Sequence, residues 1–369
     1  MRPVRFLLLV LLLPPLASAA APSTGEQLRT HCLLHAADPR NPWALAHGMC
    51  ALGPSYAASD GRRAADVIVE DFLQKGPDGG PTLPYGFARF GKDGTPVEPH
   101  TNLNVKTLVL SGLPLSTPFQ SKAAGKVTLG QLVEGVKRGF VHVPQNPAYW
   151  ADVGWTLDLL SAVLKPGPGA VFTNGAGTSV DFNRVMDDAL GELERSQGDL
   201  FAAMDAGQAE VPKRRQGLYA HSCGGLHLVQ AVFHWAHHPA VRKAWGKRLD
   251  RQVAVLNWRL GSERRQYEAA LQAAPAPYQR KILVQMLKFY GHYLETWGRL
   301  KAEKTRVPSA ADRRQVATAR ALLDDTVRRL QASGAFEQQA QLLVQDRQTG
   351  LDLIGDSCHA AHGMALTRW

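Results

Sequence analysis

From about residue 24 onward, apolar side chains recur every three to four positions, the spacing that gives an α-helix one buried face. The pattern predicts helices over 24–36, 42–51, 63–75, 102–111, 128–140, 147–164, 179–207, 224–238, 240–272, 276–303, 309–332 and 335–366. Thr128 with Gln131 reads as a capping box, and Ser179 and Ser309 stand as N-caps. Pro239, Pro275 with Pro277, and Pro308 separate the later segments, because proline interrupts a helix interior. One stretch, 84–98, reads as extended instead. Tyr85, Phe87, the turn Lys92-Asp93-Gly94 and Val97 predict at most one small β-hairpin there. The expected fold class is all-α, about twelve helices in antiparallel hairpins. No linker divides residues 21–369, which are expected to form one domain, with 76–84 and 165–178 as loops.

The first twenty residues follow a different rule. Arg2 and Arg5 precede the apolar run Phe6 to Leu13, and Ala17-Ser18-Ala19-Ala20-Ala21 follows it. A positive start, a short apolar run and an A-x-A ending make a secretory signal peptide over 1–20, with cleavage after Ala19 or Ala20. The expected location is periplasmic or extracellular. No later stretch reaches the roughly 18 unbroken apolar residues of a membrane helix, so no stable insertion is expected after cleavage.

Charge adds little. Lys and Arg (42) exceed Asp and Glu (32) in the 369 residues, a formal +10 to which Arg2 and Arg5 contribute. The excess is spread through short pairs, and the longest basic block is Lys213-Arg214-Arg215. No basic stripe interleaves with aromatics, so nucleic acid is not an expected partner. A glycan or another anionic envelope component fits a basic surface better. Serine-hydrolase elbows, HExxH, P-loops and Rossmann fingerprints are absent.

The four cysteines carry two readings. In an exported chain an even count points to disulfides, and Cys32–Cys50 is the cheapest loop to close, with the other connectivities left open. Cys223 and Cys358 also lie beside histidines, in His221-Ser222-Cys223-Gly224-Gly225-Leu226-His227 and Asp356-Ser357-Cys358-His359-Ala360-Ala361-His362. Cys and His are zinc ligands. These two stretches resemble the lanthionine cyclases, with Ser222 where that family has Trp and Ala360 where it has Gly. The resemblance implies zinc held by Cys223, Cys358 and His359. The helix count resembles the wider α/α-toroid class, in which six helical hairpins close into a ring round a central pocket. That class includes glycoside hydrolases, polysaccharide lyases and terpene cyclases besides the lanthionine cyclases.

Thirteen histidines are candidates for a polar pocket. On helix 224–238, His227, Gln230, His234 and His238 share one stripe. The stripe's outer members, His234 and His238, are expected to face solvent. His227, in the first turn after Gly224-Gly225, is the stronger functional candidate, because helix N-terminal amides favour anionic ligands. His31 and His35 read as surface. His292 interrupts an apolar helix, and His47, Glu98, His100 and His362 sit at element ends or beside Cys358. Asp152 and Asp158 lie among Tyr149, Trp150 and Trp155, the company a sugar-binding acid–base site would keep.

The toroid resemblance implies an enzyme acting on envelope or extracellular glycan by acid–base chemistry. His227, His100 and Asp152 would be catalytic, and His47, His292, His362 and Glu98 would line the pocket. A non-catalytic envelope scaffold or binding protein is the alternative, and a zinc enzyme built on Cys223, Cys358 and His359 the third. Convergence of the histidines on one cavity separates a site from a scaffold.

Overall fold

The computed structural model describes residues 22–76, 84–212, 223 and 225–369. The signal-peptide segment, the block Lys213-Arg214-Arg215 and His221, Ser222 and Gly224 lie outside the described residues. What is described is all-α, with three short two-stranded sheets.

The helices begin where the caps dictate. Ser23 with Glu26 opens α1 (Thr24–His35), and Asn41 with Pro42 at the first turn opens α2 (Pro42–Leu52). Next come α3 (Ala64–Phe72), α4 (Leu103–Leu110) and α5 (Leu129–Gly139), the last opened by the Thr128–Gln131 capping box. The segment expected over 147–164 breaks at Val153 into α6 (Pro147–Asp152) and α7 (Gly154–Val163). That over 179–207 breaks at Gln197 into α8 (Phe182–Ser196) and α9 (Gly198–Asp205). Asp181 caps α8, while Ser179 lies in a strand. α10 (Leu226–Trp235), α11 (Pro239–Ala273), α12 (Ala276–Ala302) and α13 (Ala310–Ala332) follow, the last opened by Ser309 with Asp312. Asp346 ends α14 (Gln339–Gln345) and caps α15 (Arg347–Leu366).

The expected hairpin over 84–98 is corrected. Its turn forms, with a bridge between Phe90 and Pro96, but β2 (Tyr85–Phe87) pairs antiparallel with β1 (Leu73–Lys75). Two more hairpins pair β3 (Pro118–Ser121) with β4 (Gly125–Thr128), and β5 (Val171–Thr173) with β6 (Ser179–Asp181). Each strand is three or four residues, too short for alternation to register.

Six helices contact one another in a closed cycle: α2 with α4, α4 with α7, α7 with α10, α10 with α12, α12 with α15, and α15 with α2. Most of the others lie against this cycle, α1 on α15 and α2, α3 on α2, α5 on α4, α6 on α7, α8 on α10, α11 and α13 on α12 and α14 on α15, while α9 packs on α8 and α11. Being covered on all sides, the cycle helices lose their amphipathic contrast. Every residue of α10 is buried, as is the stretch Met286 to Leu300 of α12. Glycine lets them approach closely. A Cβ on Gly363 of α15 would sit 2.6 Å from the backbone nitrogen of Glu295 on α12, and one on Gly355 would strike Trp43 and His47 of α2.

The disulfide joins Cys32 of α1 to Cys358 of α15, 326 residues apart, and not Cys32 to Cys50. The cheap-loop expectation fails because Cys32 is buried where α1 packs on α15, while Cys50 turns toward Glu295 and His362. Cys50 and Cys223 are free.

Candidate metal centre

All six cycle helices contribute to one cavity of about 310 Å³. Its walls include Trp43 and His47 of α2, Leu103 of α4, Trp155 of α7, His227 of α10, Lys288 and His292 of α12, and Asp352, Asp356 and His359 of α15. His100, just before α4, and Cys223, just before α10, complete it. A second cavity, about 530 Å³, is lined by residues further along five of the same helices: Cys50, Lys106, His234, Glu295, Arg299 and His362 among them. These five helices therefore present their earlier residues to one cavity and their later ones to the other.

Three buried imidazoles meet in the first cavity. His227, His292 and His359 each offer a ring nitrogen lying within 4.8 Å of the other two. The Nε2 atoms of His227 and His292 are 3.3 Å apart. Tetrahedral zinc with Zn–N bonds of about 2.1 Å would hold adjacent nitrogens about 3.4 Å apart. Burial holds His227 well below its ordinary pKa, with the neighbouring His292 adding to the effect. Burial, with His359 close by, brings His292 down to about 3. Neutral imidazole is the form that ligates metal.

The orientation of each ring is set behind it. His359 Nδ1 donates to Glu295 Oε2 at 2.9 Å, and His292 Nδ1 donates to the Lys288 carbonyl at 2.9 Å. Both rings thus keep Nε2 for the cavity, the arrangement that outer partners impose on metal-bound histidine. His227 Nδ1 is buried with no partner among the described residues. His47 donates Nδ1 to the Trp43 carbonyl at 2.7 Å and meets the His359 ring edge-on at 5.0 Å. The donor set fits a borderline divalent ion such as zinc, with an open position toward the cavity.

Behind the three rings runs a buried polar chain. Gln230 donates to Glu295 Oε2 at 3.3 Å, and Arg299 donates to Gln230 at 3.3 Å and to both oxygens of Asp158 at 2.7 and 2.8 Å. His234 Nδ1 reaches Asp158 at 2.7 Å, and Lys106 stands 3.4 Å from it. Burial pushes Glu295 up, but the charge and hydrogen bonds of His359 and His362 outweigh it and hold the carboxylate well below its usual range. On the other side Lys288 pairs with Asp352 at 3.0 Å. Asp356, 3.6 Å from Lys288, is pushed well above the usual carboxylate range by burial, against the pull of that lysine.

His100 stacks on Trp155, with centroids 3.9 Å apart, and its Nδ1 lies 3.5 Å from Asp152 Oδ1. Burial raises Asp152, but hydrogen bonds from His100 and Thr101 overcome it and keep the carboxylate ionised. Trp155 in turn leans on His227, centroids 4.4 Å apart.

His47, His100, His227 and His292 thus share the first cavity, with Asp152 one contact behind His100. Glu98 is not in its wall. It accepts from the Asn104 backbone at 2.9 Å at the start of α4, and burial lifts it to about 8. His362 faces the second cavity. The Cys223, Cys358 and His359 set is corrected, because the disulfide takes Cys358 Sγ while Cys223 and His359 remain at the first cavity. The solvent expectation fails for His234 and His31, both buried, and His238 is half-buried. Glu295, Gln230, Arg299 and the Lys288–Asp352–Asp356 group were not singled out. The signal for them exists: Lys288, His292, Glu295 and Arg299 follow at i, i+4, i+7 and i+11, one polar stripe on an otherwise apolar helix.

No protein-family model matches the chain, and no curated protein or solved structure is significantly similar to it.

Proposed function

We propose that the chain is a metal-dependent acid–base enzyme of α/α-toroid architecture, working outside the cytoplasm on a small, sugar-sized part of an envelope or extracellular glycan. The observation that carries the reading is the trio His227, His292 and His359, buried and backed by Glu295. The closed cycle of six helices supports the toroid, and the convergence of the histidines on one cavity favours a site over a scaffold. The Cys32–Cys358 disulfide and the signal-like start support an oxidising location.

His227, His292 and His359 would hold a divalent ion, which when bound would supply Lewis acidity and acidify a water near neutral pH. The remaining work falls to the chain's own groups. His47, with Nδ1 fixed on a carbonyl and burial favouring the neutral ring, has Nε2 free to accept a hydrogen bond from a bound group. His100, with Nδ1 3.5 Å from Asp152 Oδ1, stands in reach for acid–base work. Asp356, whose burial favours the protonated form, stands in the wall as a proton donor, and Trp43 offers a flat face to a sugar ring.

The test joins metal content to turnover. Protein loaded with zinc is incubated with peptidoglycan and a panel of acidic and neutral polysaccharides, and new reducing or unsaturated ends are read. The expected result is about one zinc lost in His292→Ala, and turnover lost both in that variant and on chelation. Wild-type protein that binds no zinc at micromolar concentration, or turnover indifferent to His292, overturns the reading.

A further inference from the structure

The second cavity holds a cluster of which the proposed reaction uses only Glu295, as the partner of His359. Cys50 of α2, Glu295 of α12 and His362 of α15 each present a metal-ligating atom, all within 4.8 Å of one another. Cys50 Sγ lies 3.7 Å from Glu295 Oε1 and 3.9 Å from His362 Nδ1, and His362 Nδ1 lies 2.8 Å from the same carboxylate oxygen. These three atoms belong to helices far apart in sequence, so the fold and not local spacing brings them together. Cys50 is free, and the disulfide occupies the other two cysteines of the helical hairpins nearby only through Cys32 and Cys358. The Glu295 side chain is 3 % exposed and that of His362 23 %, so one ligand is fixed in the core while another faces the cavity.

We infer that Cys50, Glu295 and His362 form a second metal site, taking one borderline-soft divalent ion of the zinc type with its fourth position open to the 530 Å³ cavity. Thiolate, imidazole and carboxylate together suit such an ion better than a hard one, which would ask for an all-oxygen set. Binding forms bonds from the ion to Sγ, Nδ1 and Oε1. It expels the thiol proton of Cys50 and the proton that His362 Nδ1 donates to Glu295, and both pass to solvent. Nothing is oxidised or reduced. Glu295 divides its carboxylate: Oε2 orients His359 of the first centre, and Oε1 serves the second. The two sites lie back to back on one side chain.

The probe is Co2+ alone, added to metal-free full chain carrying Cys223→Ser, which removes the other free thiol. The expected result is two cobalt ions per chain and a near-ultraviolet thiolate-to-cobalt charge-transfer band. Cys50→Ser should abolish the band and one cobalt while leaving the other. His292→Ala should remove one cobalt and leave the band, which separates failure of this site from failure of the three-histidine centre. His362→Gln, less disruptive than loss of the thiol, should weaken cobalt binding at the band at least tenfold, with circular dichroism reporting that the fold is kept. A single cobalt without a band, or a band that survives Cys50→Ser, overturns the proposal.

Discussion

His359 Nδ1 and Glu295 Oε2 lie 2.9 Å apart across the contact between α15 and α12, and the second oxygen of the same carboxylate takes His362 at 2.8 Å. One buried acid therefore fixes two imidazoles that point into different cavities. Replacing Glu295 with glutamine keeps the shape and removes the charge. Outer-partner changes of this kind cost about 10–100-fold in metal affinity. Zinc competition against a chromophoric chelator should show that loss for Glu295→Gln, with helix content unchanged. Affinity equal to wild type would mean that the pair is only structural.

Asp158 answers three cations or donors at once, Arg299, Lys106 and His234. Burial raises it, but Arg299 and Lys106 more than offset that and hold it well below the usual range. Asp158→Ala leaves Arg299 and Lys106 buried together without their common counterion, a loss of about 3–5 kcal/mol. Adding Arg299→Met should recover part of it. Urea unfolding of the single and double variants measures both, and a single variant within 1 kcal/mol of wild type, about the scale of a surface pair, would refute the argument.

The metal-free protein should weaken in mild acid. His292 sits at about 3 against an ordinary 6.5, and burial drives His227 and His47 the same way. Such groups take a proton in the unfolded chain and refuse it in the folded one. Their stability is present above 6.5 and lost as pH falls from there toward 3, by up to about 1.4 kcal/mol per pH unit for each group. His362, raised to about 10 because hydrogen bonds to Cys50 and Glu295 prevail over burial, acts oppositely: its contribution is present below 6.5 and lost as pH rises through 10. Thermal unfolding between pH 4 and 7 should show a shallower slope in His292→Gln than in wild type.

Two glycines should respond to alanine with opposite signs. At Gly363 the new methyl meets Glu295 backbone at 2.6 Å and the Gly291 carbonyl at 2.9 Å, so α12 and α15 must part, at about 1–3 kcal/mol. At Gly246, within α11, nothing lies within 4 Å. There alanine lowers the entropy of the unfolded chain and should stabilise by roughly 0.5–1 kcal/mol. Paired melting curves read the contrast, and equal shifts would rule out the close approach.

Helix positions were legible because their ends are written locally. Thr128 with Gln131, Ser309 and Pro239 mark starts that the structure keeps to within a residue. The breaks at Val153, Gln197 and Asp346 do not show in the apolar spacing, which runs across them, although Asp346 with Thr349 forms a local cap at the last. Individual pocket residues were legible wherever a polar group interrupts an apolar helix, as His292 does. Their grouping was not. His227, His292 and His359 are 65 and 67 positions apart, and only the order of helices round the cycle brings them together. Cys358 misled for a related reason: its neighbour His359 faces the cavity, while Cys358 itself turns outward to α1.

The Cys32–Cys358 bridge fastens α1 to α15 across 326 residues, at the seam where the cycle of helices closes. Contacts of such sequence separation form late, because the chain between them must first give up its freedom. Until α15 docks, His359 is missing from the trio and Glu295 has neither of its imidazole partners. A chain whose α15 has not yet docked therefore has neither the three-histidine cluster nor the pairings of Glu295 in place.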